Sequence, residues 1–190
     1  MFDNTLIMDF ETTGLNPFHD TIIEIAAKKF RSPDNYSTLV KSKNKLDTKI
    51  VEITKITDKM LEEDGISPRS AAHGFGKFIQ NSFDLSKPLF ILAHNGNSFD
   101  FIFFKNIINK FEFELDIRYI DTISVSKFVN PRLFSHRLAT LCHPNIYNVA
   151  NETAHRAMSD VTTTEKIFEK MIYRKFTSIE DVYNKIEFIC

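Results

Sequence analysis

Residues 5–14 read TLIMDFETTG, an apolar run with two acids one residue apart at its end. Because side chains alternate across a β-strand, Asp9 and Glu11 lie on one face with Ile7, and the opposite face is wholly apolar. Two carboxylates on one face of a buried strand repel each other, and a hard divalent cation with oxygen ligands relieves that repulsion. If both acids instead lie past the end of the strand, they are solvated, and the motif alone leaves that alternative open.

Two further strands follow this one. Residues 21–30 and 36–40 have strand composition. Turn residues at 20–21 and 33–35 precede them, which predicts an antiparallel meander of three strands. The first three strands are therefore expected to be neighbours in one sheet.

The rest of the chain alternates strands with helices. Residues 89–93 are wholly apolar, as expected of a strand covered on both faces, and residues 118–123 are a fifth strand candidate. Ser67 and Pro68 mark a helix start. Helices are predicted over residues 68–83, 98–111, 135–142, 158–174 and 178–189, with short helical pieces in 41–65. This order is typical of an α/β fold with a mixed sheet flanked by helices.

Length, composition and charge indicate the domain count, the kind of partner and the compartment that we expect for this protein. A length of 190 residues with 43% hydrophobic content favours one domain over residues 1–190. The net charge of −1 excludes a strongly basic nucleic-acid binder, so any such contact must be local. Cys142 and Cys190 lack zinc-site spacing and are expected to be free thiols. With no visible signal peptide and no long apolar run, we expect an intracellular, soluble protein of the cytoplasm or nucleus, without membrane contact.

A second acidic motif occupies residues 93–101, AHNGNSFDF. It joins a predicted strand to a predicted helix, with Ser98 as the expected N-cap and Asp100 in the first turn. An acid there is favourable for the helix dipole, so a plain helix-start aspartate is one interpretation. The other is a ligand site, because ligands meet an α/β sheet at the carboxyl ends of its strands.

A third motif runs from His155 to Asp160. Residues five apart differ by roughly 140° around a helix, at about 100° per residue, so the two cannot share a face. We expect Asp160 in a helix and His155 on the loop before it, where an imidazole can act as a general base. A surface histidine beside a helix-start aspartate is the alternative. Together the three motifs supply four acids, the usual set for two Mg²⁺ ions about 3.5–4 Å apart.

These motifs resemble those of the DEDDh 3′→5′ exonucleases, a family with the ribonuclease H-like fold. The likeness rests on DFETTG at residues 9–14 with IIEIA at 22–26, on His94, Asn95 and Asp100, and on HRA at 155–157 with Asp160. They stand in the family's order, and the six-residue step from His94 to Asp100 is nearest to three-prime repair exonucleases. The resemblance implies a mixed sheet flanked by helices and a metal-dependent nuclease.

The resemblance also implies a role for each acid. Asp9 would bridge two Mg²⁺ (or Mn²⁺) ions, and Glu11 and Asp160 would hold the ion that activates water. Asp100 would hold the second ion, partly through water, and His155 would deprotonate the water. The nucleotide pocket would be lined by residues near these motifs: Thr12, Thr13, Leu15, His94, Asn95 and Phe99.

The implied activity is hydrolysis of phosphodiester bonds from the 3′ end of single-stranded DNA or RNA, with release of nucleoside 5′-monophosphates. The expected partners are single-stranded 3′ ends, and either a monomer or a homodimer is compatible with the sequence. Two other functions stay open: a non-catalytic module of the same fold that binds nucleic-acid 3′ ends, and a structural domain whose acids cap helices. Only the structural domain predicts no divalent-cation binding.

Overall fold

The computed structural model describes residues 2–150 and 155–187. The strands are β1 Thr5–Thr12, β2 Ile22–Lys29, β3 Asn35–Leu39, β4 Leu89–Ala93 and β5 Ile117–Asp121. The helices are α1 Thr48–Thr54, α2 Asp58–Glu63, α3 Pro68–Ser82, α4 Asp100–Ile108, α5 Thr122–Val129, α6 Leu138–Leu141, α7 Ala157–Ile172 and α8 Ile179–Glu187. The predicted last helix extends to residue 189, and residues 188–190, with Cys190, lie outside the described residues.

The five strands form one mixed sheet in the order β3-β2-β1-β4-β5. β1 pairs with β2 and β2 with β3 in antiparallel fashion, which confirms the predicted meander. β4 runs parallel to both β1 and β5. The carboxyl ends of β1, β4 and β5 therefore lie at the same edge of the sheet.

Helices cover both faces of the sheet because the strands are apolar on both sides. Ile7 of β1 packs in a cluster with side chains of α5, α7 and α8, including Phe168 and Val182. Leu6 and Met8, with opposite orientation, pack with α3 and α4 in a second cluster. All five residues of β4 are buried, as the wholly apolar run predicted. The alternation in β1 thus assigns Ile7 to one layer and Leu6 and Met8 to the other, as predicted.

Several predicted boundaries differ from the structure: the helix predicted over residues 98–111 ends at Ile108, and the one predicted over residues 135–142 spans only Leu138–Leu141. Two further differences lie beside acidic residues. Ser98 does not cap α4: residues Gly96–Ser98 form a 3₁₀ turn, and Phe99 stands at the N-cap with φ −143° and ψ −81° and no side-chain cap bond. β5 ends at Asp121 rather than at residue 123, because the Asp121 carboxylate caps α5 by accepting the Ile123 amide at 2.9 Å. β-branched Thr122 and Ile123 favour a strand by composition, and the cap overrides that preference.

Candidate active site

The three acidic motifs meet at the carboxyl end of β1. Potential ligand atoms of Glu11, His155 and Asp160 all lie within 4.8 Å of one another. Asp100, only 2% exposed, joins them through its Oδ1, which accepts the backbone amide of Phe10 at 3.0 Å. Because Phe10 separates Asp9 from Glu11 in the chain, this bond ties the second motif directly to the first.

Burial and mutual repulsion make the carboxyl groups weak acids. Burial, and then the charges of Asp100 and Glu11, raise the pKa of Asp9 well above its usual value. Burial and then Glu24 and Asp160 raise the pKa of Glu11 to about 8. Burial raises the pKa of Asp100 to about 7, although the amide of Phe10 opposes the shift. A concentration of negative charge with raised pKa values is the electrostatic setting that a cation relieves.

His155 precedes α7 by two residues, as the five-residue spacing to Asp160 predicted. Its backbone lies in the left-handed region, with φ 63°, and its amide donates to Asp160 Oδ2 at 3.0 Å. This short turn places an exposed imidazole beside the acids while Asp160 stands in the first turn of α7. The imidazole is therefore both open to solvent and within 4.8 Å of carboxylate oxygens of Glu11 and Asp160.

Glu24 and Arg156 form an ion pair beside the acids that sequence reasoning did not assign. Glu24 is the β2 residue directly paired with Glu11 across the sheet, and it is 3% exposed. Its carboxylate accepts Arg156 Nη2 at 2.8 Å and Nε at 3.3 Å, and the Ala157 amide at 3.0 Å. A lone glutamate in the apolar stretch IIEIA was the available signal, because a buried carboxylate requires partners.

Asp121 is a second buried acid that sequence reasoning missed. It is 7% exposed and accepts three backbone amides, from Asn95 at 3.1 Å, Asn97 at 3.1 Å and Ile123 at 2.9 Å. Asn95 has a left-handed backbone, φ 66°. Asp121 therefore holds the turn that delivers Asp100 to the site, and its position at the end of a strand was the only sequence signal.

The loop after β1 is closed by its own side chains. The Thr13 hydroxyl donates to Asp20 Oδ1 at 3.0 Å and accepts the Thr21 amide at 3.0 Å. Thr12 is 5% exposed, and its hydroxyl donates to the Gly14 carbonyl at 2.5 Å. A Cβ at Gly14 would stand 2.5 Å from the Asp20 carboxylate, so a side chain there would displace that carboxylate from its bonds to Thr13 and Asn16. Leu15 projects from this loop with 83% of its surface exposed.

The remaining predicted pocket residues lie on the turn between β4 and α4. His94 Nδ1 bonds Thr122 Oγ1 at 2.9 Å, and burial lowers the pKa of His94 to about 4. Asn95 is exposed. Phe99 packs against Phe103 with ring centroids 5.0 Å apart. The structure thus places these residues near Asp100, and their contact with a nucleotide stays a prediction.

By sequence, the chain matches an exonuclease family and is similar to bacterial DNA polymerases. A family model described as Exonuclease matches residues 6–168. The PolC-type DNA polymerase III of Mycoplasma genitalium is 30% identical over 95% of this chain and 13% of the polymerase. That of Thermotoga petrophila is 32% identical over 98% of this chain and 14% of the polymerase. The chain therefore spans about a seventh of the length of these relatives.

Two solved nucleases are similar in structure. Exonuclease I superposes with a TM-score of 0.73 at 21% identity, over 95% of this chain and 42% of that protein. Exonuclease X, solved in complex with 5′ overhanging duplex DNA, superposes with a TM-score of 0.66 at 18% identity. The match covers 96% of this chain and 99% of exonuclease X. At such identities the likeness concerns the fold, and it confirms the ribonuclease H-like mixed sheet flanked by helices.

Proposed function

Because the chain belongs to the DEDDh exonucleases of the ribonuclease H-like superfamily, a family of divalent-metal-dependent nucleases, we propose that it removes nucleotides from the 3′ end of single-stranded DNA or RNA. The products would be nucleoside 5′-monophosphates. The observation that carries the proposal is the meeting of three motifs at one point, where Glu11, His155 and Asp160 lie within 4.8 Å and Asp100 bonds the Phe10 amide.

The acids fit hard divalent cations. Asp9, Glu11, Asp100 and Asp160 offer only oxygen ligands, the type that Mg²⁺ and Mn²⁺ accept. Desolvation and repulsion raise the pKa of Asp9, Glu11 and Asp100, so the apoprotein pays for this arrangement and bound cations would offset the cost. We therefore assign these four residues as metal ligands, for two Mg²⁺ or Mn²⁺ ions.

The chain's own groups then have defined tasks. Bound cations would neutralise the phosphodiester and make a coordinated water more acidic. His155, exposed and adjacent to Asp160, would accept the proton of the attacking water at its imidazole. Leu15, exposed on a hydrogen-bonded loop, would contact the terminal base together with Thr12, Thr13, His94, Asn95 and Phe99.

The known proteins support DNA as the first substrate to test. The sequence relatives are DNA polymerases, and exonuclease I of E. coli has been solved with dT13 and dA16 oligonucleotides. None of the described helices is long and apolar enough to span a bilayer. Oligomeric state stays a prediction.

A strand-shortening assay tests the proposal. We expect 5′-labelled single-stranded DNA or RNA to give a ladder that shortens from the 3′ end with Mg²⁺ or Mn²⁺ and not with chelator. Asp160→Asn should abolish cleavage, because it removes an anionic ligand while Asn keeps the oxygen that accepts the His155 amide. Retention of near-normal activity by Asp160→Asn would contradict the assignment. Binding of 3′ ends without cleavage by the wild type would instead favour the non-catalytic module.

A further inference from the structure

The Glu24–Arg156 ion pair stands directly beside the acids proposed as metal ligands, because Glu24 of β2 is the antiparallel strand partner of Glu11. Arg156 directly follows His155, and Ala157 begins the helix that carries Asp160. We infer that Glu24 and Arg156 are positioning residues, a clamp that holds the turn of residues 155–160 in register with Glu11. This inference rests on the proposed function, since it concerns the same site.

The contacts on Glu24 restrain the turn from two directions. Two bonds from the Arg156 guanidinium define a plane, and the Ala157 amide at 3.0 Å is one of the first amides of α7, which have no partner within the helix. Both oxygens of the Glu24 carboxylate are therefore occupied. The turn of residues 155–160 therefore cannot rotate or slide without breaking a hydrogen bond to the Glu24 carboxylate.

Strand pairing transmits that restraint to the acids. Glu24 and Glu11 are partners in the antiparallel ladder of β1 and β2, so the clamp is anchored directly beside Glu11. On the other side, the His155 amide donates to Asp160 Oδ2, which closes the turn on itself. Glu11 is far in sequence from the turn that carries His155 and Asp160, and the clamp is a direct link between these two segments.

The same two elements provide a matched control. Lys28 of β2 and Glu165 of α7 also form an ion pair, and Glu165 Oε1 accepts the Arg31 amide at 2.8 Å. The Glu165 side chain is 8% exposed and that of Glu24 is 4% exposed. Glu165→Gln therefore removes a comparable β2–α7 contact without touching the turn of residues 155–160.

Two substitutions that change the charge in opposite directions distinguish a positioning role of the pair from a purely electrostatic one. Glu24→Gln removes a negative charge near Glu11, whereas Arg156→Gln removes a positive one. If the pair acted through charge alone, the Mn²⁺ concentration that half-maximally raises Tm would shift in opposite directions. If the pair acts by positioning, both variants should need more Mn²⁺ for the half-maximal rise in Tm. Both should also lose about 10- to 100-fold in kcat, with little change in the KM for the nucleic-acid strand.

Hydrogen exchange supplies a readout independent of turnover. In the apoprotein, amides of residues 155–160 should exchange faster in Glu24→Gln and Arg156→Gln than in Glu165→Gln. The Glu165→Gln control should lower Tm and leave kcat and the Mn²⁺ response unchanged. If Glu24→Gln does not fold, Arg156→Gln decides, because its side chain is 37% exposed and its removal is easier to tolerate.

These measurements distinguish failure of the proposed function from failure of the clamp inference. If the wild type shortens no strand with any cation, the proposed function is wrong, and the exchange comparison still decides the clamp. If the wild type is active and both variants match Glu165→Gln in kcat, Mn²⁺ response and exchange of residues 155–160, the clamp inference is overturned. The double variant Glu24→Gln/Arg156→Gln should recover Tm, because no charge is left unpaired, without recovering kcat.

Discussion

At the scale of single residues, the site depends on carboxyl groups that are unfavourable where they stand. Asp100 is 2% exposed, and the pKa of Glu11 is raised to about 8 by burial and by neighbouring acids. A stable fold tolerates such groups where function requires them. Glu24 is also a buried acid, and the guanidinium of Arg156 compensates its carboxylate within the protein.

His94 gives a prediction about pH. Burial lowers its pKa from 6.5 to about 4, and the negative charge of Asp121 opposes the shift. The unfolded chain binds this proton below about pH 6.5, whereas the folded chain binds it only near pH 4. The free energy of unfolding should therefore fall as pH decreases between these values, by about 2 kcal/mol from this group.

Urea unfolding in chelator between pH 7.5 and pH 4.5 measures this contribution. His94→Asn, which keeps a polar group near the Thr122 hydroxyl, should lose less stability over that interval than the wild type. His73→Asn, at an exposed position on α3, is the control variant. Parallel curves for the wild type and both variants would show that His94 does not contribute.

At the scale of secondary structure, the ends of elements build the site. β1 ends among the acids, α4 and α7 begin there, and β5 ends at Asp121. Glu24 and Asp121 each bind backbone amides, at the start of α7 and at the turn before α4. A buried carboxylate that accepts several amides is a strong restraint, because any movement of the backbone breaks charge-assisted hydrogen bonds.

Asp121→Ala tests the importance of the turn before α4. Loss of the carboxylate leaves three amides, those of Asn95, Asn97 and Ile123, without their acceptor. We expect a loss of about 2–4 kcal/mol in the free energy of unfolding, and lower activity because Asp100 is displaced.

Asp116→Ala, at the exposed opposite end of β5, is the matched control. Its carboxylate contacts only the Arg118 guanidinium among the described ion pairs, at 3.5 Å, so its removal should change stability by less than about 0.5 kcal/mol. Urea unfolding of both variants measures the difference. Equal effects of the two substitutions would refute the restraint assigned to Asp121.

At the scale of the whole molecule, the net charge of the protein does not favour binding of a polyanion such as a nucleic acid. Lys and Arg number 24 and Asp and Glu number 25, and the site itself concentrates acids. A phosphate that approaches this region is repelled until the carboxylates are neutralised. Affinity for a nucleic-acid strand should therefore depend on divalent cations more than on the field of the protein.

Fluorescence anisotropy with an oligonucleotide that carries a 3′-terminal phosphorothioate linkage tests this dependence. In chelator the Kd should be weak, about 10⁻⁴ M, the range of non-specific contacts. Mn²⁺ should tighten binding at least about 10-fold in the wild type and not in Asp160→Asn, because that variant lacks one anionic ligand. Equal affinity with and without Mn²⁺ would contradict this view of the site.

Local patterns in the sequence were sufficient for several features of this protein. Alternation in residues 5–10 correctly separated Ile7 from Leu6 and Met8, because strand geometry is a property of neighbours along the chain. The ordered motifs identified the family, and the five-residue step from His155 to Asp160 correctly placed the histidine on a loop before a helix.

Other features followed only from tertiary structure, because they depend on pairing between distant segments. The partnership of Glu11 with Glu24 is a matter of strand register, and the amides held by Asp121 come from a different strand end. Neither spacing nor composition encodes such contacts. The tertiary structure also decided that the Thr13 hydroxyl is engaged within its own loop, since hydrogen-bond partners are known only once the chain has closed on itself.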